Sequence, residues 1–191
     1  MPRSIHHSLS ASVVLLAVLF IAGCAGMPSS GSRTVQIQRT AHGIAHVEAG
    51  DLEALAYGVA YAHAQDNVCQ SADHLVTIRG ERSRWFGAAA QSLFGLRPLP
   101  NDQADAFVRA HMDDAALAAA DAGVSDDVRS MARGYVEGYN RFLVDHAERL
   151  PAPCQGQPWV RPMTIEEYRR MNEMTSGPIP ISKIVQPSEL R

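Results

Sequence analysis

A run of small residues sets the tightest limit on what this chain can become. Ala54 to Ala64 reads Ala-Leu-Ala-Tyr-Gly-Val-Ala-Tyr-Ala-His-Ala. On a helix so little bulk lets other backbone come close on several sides, which predicts a helix enclosed by its neighbours. Asp51 stands where a carboxylate caps the free N–H groups of a first turn, and Glu53 complements the dipole there. The spacing predicts a helix from Leu52 to about Leu75, with Leu52, Leu55, Val59, Ala62, Val68 and Cys69 facing inward. Upstream, Val35 and Ile37 alternate, His42-Gly43 makes a turn, and Ile44 to Ala49 forms a second short run. A β-hairpin should therefore feed the helix.

These same residues carry a likeness. Gly43-Ile44-Ala45-His46-Val47, then Tyr57-Gly58, then Ala62-His63-Ala64-Gln65-Asp66 resemble the start of the α-subunit region of the penicillin acylase family. Ala45 stands where proline is usual, which frees a strand N–H. Gly80 and Gly87 match a later run, but Glu81 and Arg84 reverse its charges, and an ion pair between them should survive the exchange. Arg133-Gly134-Tyr135 through Gly138-Tyr139-Asn140 extends the likeness, and Cys154-x-Gly156-x-Pro158-Trp159-Val160-Arg161-Pro162 is closest to the acyl-homoserine lactone and aculeacin acylase branch. Together the resemblance covers about Val35 to Asn172.

The resemblance implies a mainly α chain with a short β-hairpin, the α-chain portion of an αββα N-terminal nucleophile hydrolase fold. It implies hydrolysis of an N-acyl amide, such as an acyl-homoserine lactone or a lipopeptide. In such enzymes a serine or cysteine freed at the β-chain N-terminus attacks, its own α-amine serving as base. The β-subunit of the same precursor is thus the implied partner, and no cofactor is implied. Gly43, His46, Tyr57, Gly58, His63, Gln65 and Asp66 carry over as structural motif positions. In some relatives an α-chain glutamate helps bind calcium, but its position falls beyond Pro180, where this sequence diverges, so calcium does not carry over.

The ends read differently. Arg3, the apolar run Ser12 to Ile21 and Ile21-Ala22-Gly23-Cys24 resemble a lipoprotein signal with its lipobox, making Cys24 the expected lipidation site. The alternatives are an ordinary secretory signal cut near Ala25 or a cytosolic chain with an apolar start. The two signal readings predict export: to the periplasmic face of the outer membrane through a lipid anchor, or to the soluble periplasm. Residues 1–26 form this segment, 27–34 a flexible tether, 35–175 the acylase-like region and 176–191 a divergent tail. Two prolines in Ser176-Gly177-Pro178-Ile179-Pro180 bar a continuing helix. The abrupt change at Gly177 suggests a frameshifted or truncated precursor, inactive alone because the nucleophile is missing.

Composition narrows the remainder. At 191 residues the chain suits one domain, and a net charge of -3 without a basic patch argues against nucleic acid. With Cys24 assigned, Cys69 and Cys154 are left to form one disulfide in an oxidising compartment or to stay as two buried thiols.

Between these landmarks the chain reads as helices. Leu93 to Asp102 is expected to be a loop, with Asn101-Asp102 capping one amphipathic helix that carries Ala104, Phe107, Val108, His111, Met112 and Ala115 and runs to Asp121. Ser125 caps the next helix, whose wide apolar face is Val128, Met131, Ala132, Tyr135, Val136, Tyr139, Phe142 and Leu143. Thr164 and Glu167 make a capping box for a last helix from Ile165 toward Met174.

Chemistry is sparse in these segments. His63 and Asp66, at i, i+3, pair either as a base with its orienting carboxylate or as a tie to a neighbouring strand. His42 and His46 lack a carboxylate or cysteine at zinc-ligand spacing, so no metal site is expected. Gly31-Ser32 precedes the acylase-like region and opens no strand, so no catalytic residue is assigned in this chain. A rival reading is a non-catalytic periplasmic lipoprotein that keeps the α-region as a binding module.

Overall fold

The computed structural model describes residues 34–94, 97–112 and 114–176. In chain order its elements are β1 (Val35–Arg39), β2 (Ala45–Ala49), α1 (Leu52–Ile78), α2 (Arg82–Phe86), β3 (Gln91–Phe94), β4 (Arg97–Pro100), α3 (Asn101–His111), α4 (Asp114–Asp121), α5 (Asp126–His146), a 3-10 turn (Ala147–Arg149) and α6 (Ile165–Ser176). The expected lipidation site Cys24, its signal segment, nearly all of the tether and the tail beyond Ser176 lie outside the described residues.

β1 and β2 pair antiparallel from Val35↔Ala49 to Arg39↔Ala45. The turn between them closes where the Gly43 N–H donates to the Thr40 carbonyl at 2.9 Å, with Gly43 at φ +81°. Alternation puts Val35, Ile37 and Val47 on the half-buried face, toward α1. A Cβ at Gly58 would overlap Val35 and Val47, so the glycine is what lets the hairpin lie flat on the helix.

α1 opens as expected, with the Ala54 N–H donating to the Asp51 carboxylate at 2.7 Å. Its inward face differs from the expected one. Leu52 and Val59 are 40% and 44% exposed, whereas Ala54, Ala56, Gly58, Ala60, Ala62 and Ala64 are buried. The hairpin and α5 approach so closely that only the small residues fit beneath them. A kink interrupts α1 at Asn67 (φ -135°, ψ 23°).

α5 runs parallel to α1. A Cβ at Gly134 would overlap the Glu53 carbonyl, and one at Gly138 the Tyr57 carbonyl, so positions four apart on one helix meet positions four apart on the other in the same direction. Farther along, Tyr61 meets the edge of Phe142 at 5.5 Å. Here too the expected face is displaced. Val128 and Met131 are exposed, and Ala132, Gly134, Gly138, Tyr139, Phe142 and Leu143 are buried.

The main core gathers Val68, Leu75 and Val76 of α1, Tyr139, Phe142 and Leu143 of α5, and Leu150, Cys154, Trp159 and Met163 of the irregular segment after α5. That segment is strapped down at its far end. Asn140 donates to the Met163 carbonyl at 2.9 Å and accepts from the Met163 N–H at 2.7 Å. Arg79 reaches Glu167 and the Pro162 carbonyl. Cys69 and Cys154 are joined by a disulfide with a Cα–Cα distance of 5.3 Å. Thr164 and Glu167 cap α6 reciprocally, at 3.2 and 2.9 Å.

Four local expectations are corrected. The segment from Leu93 to Asp102 is not a loop, since β3 and β4 form a second hairpin in register Gln91↔Pro100 to Phe94↔Arg97. A two-stranded ladder has free outer edges, on which proline lacks no needed donor. Asn101 does not cap α3 with its side chain but donates to the Gly87 carbonyl at 2.8 Å from a fully buried position. The single helix expected to reach Asp121 breaks at Met112 (φ -117°, ψ 50°), which leaves helical register and is buried with Ala104 and Val108. Glu81 pairs not with Arg84 but with Arg161, while Arg84 stacks 4.7 Å from the Trp85 ring centroid.

Candidate functional site

Three of the family-motif residues, Gly43, Gln65 and Asp66, meet at one arginine that sequence reasoning did not single out. Arg39, the last residue of β1, donates to the Gly43 carbonyl at 2.8 Å, the Ala62 carbonyl at 3.1 Å, Gln65 Oε1 at 2.9 Å and Asp66 Oδ2 at 3.0 Å. Gly43, Gln65 and Asp66 thus join the hairpin turn to the middle of α1, just before the Asn67 kink. The available signal was an arginine closing a strand four residues before the turn glycine.

His63 and Asp66 do not pair with each other. His63 Nδ1 lies 3.0 Å from the Tyr135 hydroxyl on α5, while Asp66 is taken by Arg39. His46 is exposed on β2, opposite Gln38 in the ladder. Tyr57 stacks on Tyr61 at 6.4 Å, and burial raises both phenols above their ordinary pKa. Tyr61 donates to Asp145 and meets His146 Nε2, each at 3.2 Å. Hydrogen bonding from Arg141 holds Asp145 below the usual carboxylate range. Gly58 is the saddle for the hairpin.

A second feature is an open cleft of about 360 Å³ among α4, α5 and α6. Its apolar wall includes Leu117, Val128, Ile165 and Tyr168, and Arg129, Arg133 and Arg169 stand around it. The guanidinium groups are engaged: Arg129 and Arg169 with Asp121, Arg133 with Glu53. Tyr168 packs on Tyr135 at 5.0 Å, so His63 is linked through two tyrosines to the cleft wall.

Chemically, the motif side chains of Tyr57, His63, Gln65 and Asp66 are engaged in hydrogen bonds or ring stacking with neighbouring residues. Cys69 and Cys154 are bonded to each other and offer no thiolate. Among the described residues no group of three or more His, Cys, Asp or Glu side chains is placed to hold a metal ion.

Residues 34–175 match the family model for penicillin amidase. The chain belongs to the penicillin amidase family. An acyl-homoserine lactone acylase, PvdQ, from Pseudomonas putida is 37% identical over 162 residues, 84% of this chain and 21% of that protein. An aculeacin-A acylase from Actinoplanes utahensis is 36% identical over 166 residues, 82% of this chain and 21% of that protein. This chain therefore spans about a fifth of the length of these relatives. Among solved structures, a thermostable penicillin G acylase from Alcaligenes faecalis is similar at a TM-score of 0.61 and 27% identity, over 75% of this chain and 72% of that one. The mainly helical fold with its short hairpins is accordingly that of the α-chain portion of the N-terminal nucleophile hydrolase fold.

Proposed function

We propose that this chain is the α-subunit portion of an exported acylase that hydrolyses an N-acyl amide, such as an acyl-homoserine lactone or a lipopeptide. A β-subunit from the same precursor supplies the nucleophile, its α-amine base and the donors that stabilise the oxyanion. The observation that carries this reading is the match, across more than four fifths of the chain, to proteins named as acyl-homoserine lactone and aculeacin-A acylases. The Cys69–Cys154 disulfide supports export, because such bonds persist in oxidising compartments. Cys24 lipidation would place the chain at the periplasmic face of the outer membrane.

The test is to translate the coding DNA beyond the Arg191 codon in all three frames. The expected finding is a spacer followed by a Gly-Ser or Gly-Cys junction opening a long strand-rich chain. A coding region with no such junction in any frame refutes the acylase reading.

A second reading, a non-catalytic binding module, draws on the cleft, which this chain builds from its own helices. It predicts that the chain binds a fatty-acyl ligand unaided in calorimetry. Absence of heat at millimolar ligand removes it.

A further inference from the structure

The segment from Leu150 to Pro158 is joined to the rest of the fold in an uneven way. Leu150 and Cys154 are buried, but the segment's backbone hydrogen bonds stay local: Cys154 and Gln155 N–H to the Pro151 carbonyl, Gln157 N–H to the Cys154 carbonyl. The Gln155 side chain likewise donates to the nearby Glu148 carbonyl. Beyond Pro158 the chain is anchored separately, by Asn140 at Met163 and by Arg79 at the Trp159 and Pro162 carbonyls. Covalent attachment of 150–158 to α1 therefore falls on the Cys69–Cys154 bond alone. Its two ends differ in access: Cys154 is fully buried and Cys69 is half-buried. Cys69 also follows the Asn67 kink by two residues, where α1 already departs from helical geometry.

We propose that Cys69–Cys154 is a redox latch. Opened by a dithiol, it lets segment 150–158 lift from α1 while the anchors from Trp159 onward and the α1–α5 contact hold. One thiolate of the dithiol attacks Cys69 Sγ, the sulfur within reach, and the Cys154 thiolate leaves and takes a proton. The second thiol of the dithiol then attacks the mixed disulfide, releasing Cys69 as a thiol and leaving the reductant as its own disulfide. Two electrons and two protons pass to the protein, and an exported disulfide donor reverses the step. Before export the latch stands open in a reducing cytoplasm, and it closes where disulfides persist. Only that timing rests on the exported-acylase reading, because the latch itself depends on this chain's geometry.

The experiment follows reduction of the full chain by dithiothreitol, trapping with an alkylating agent and weighing the peptides that carry Cys69 and Cys154. A locally opening latch is reduced at a rate that changes less than about twofold between 0 and 1 M urea, because little surface is exposed on the way. A rate that climbs about tenfold over that range means the whole chain must unfold first, and overturns the proposal. The double variant Cys69→Ser with Cys154→Ser gives a second readout. Trypsin should make its first cut after Arg149, at least about tenfold faster than in the bonded chain. First cuts scattered across the arginines, or a variant that does not fold, overturn it equally. Neither readout requires acylase activity, so loss of the acylase reading leaves the latch standing and loss of the latch leaves the acylase reading standing.

Discussion

Gly138→Ala is the sharpest perturbation of the helix pair on which this chain is built. An alanine Cβ there would overlap the Tyr57 carbonyl, a backbone group that no rotamer change can move aside. Clearing it requires α1 and α5 to part by about 1 Å, which forfeits a sizeable share of the close contacts along the pair. Overpacking of this kind costs typically about 1–3 kcal/mol, and with backbone on one side the upper end applies. Replacing a helical glycine by alanine returns about 1 kcal/mol of helix propensity. The net expectation is a loss of about 2 kcal/mol, a fall in Tm of about 4–8 °C for a chain this long. Urea unfolding followed by far-UV circular dichroism measures it, with Gly123→Ala as control, because nothing lies within 4 Å of a Cβ there. Should Gly138→Ala unfold at the wild-type midpoint, the close parallel packing of α1 and α5 is wrong.

Arg39→Ala should lower stability by about 1 kcal/mol, a figure discounted for the exposure of its partner Asp66, and speed amide exchange in β1 and β2 more than in α5. Unchanged hairpin exchange would show that the arginine does not hold the hairpin to α1. Burial alone would raise the Glu167 pKa, but Arg79 and the Thr164 N–H outweigh it and hold the carboxyl below its ordinary value. With the folded pKa below the unfolded one, its stabilisation is complete above roughly pH 4.3 and is lost as pH falls through the folded value. Between pH 5 and 3 the urea midpoint should thus fall more steeply in the wild type than in Glu167→Gln, and parallel profiles refute the pairing. Closing an 85-residue separation, the Cys69–Cys154 bond should contribute about 4–5 kcal/mol by the chain-entropy estimate, read as the difference in unfolding free energy between the bonded chain and the double serine variant. A difference below about 1 kcal/mol contradicts it.

Local features were the legible ones. The Asp51 cap, the Ser125 cap, the capping box at Thr164 and Glu167, and the first hairpin all depend on residues near each other in sequence, and all form. The inner faces of α1 and α5 were not legible by hydrophobic spacing. Close helix contact selects the smallest side chains, so Ala56, Gly58 and Ala60 go in while Val59 stays out. The Arg39 cluster escaped notice because its partners on α1 lie 23 to 27 residues away, a distance at which spacing carries no signal. Asn101 misled for a related reason. It has the right residue type for a cap, but its amide is drawn to the Gly87 carbonyl and the Arg82 guanidinium. The motif Gln65-Asp66 was visible as a motif, but its role as a receptacle for Arg39 required the fold.

The most direct test of the account compares hydrolysis of an N-acyl-homoserine lactone and of a lipopeptide amide by this chain alone and by the chain co-expressed with the product of the downstream reading frame. Amine release is the quantity to follow. The account predicts no release above buffer from the chain alone and clear turnover from the pair. Turnover by the chain alone, or none by a processed and folded pair on either amide, contradicts it.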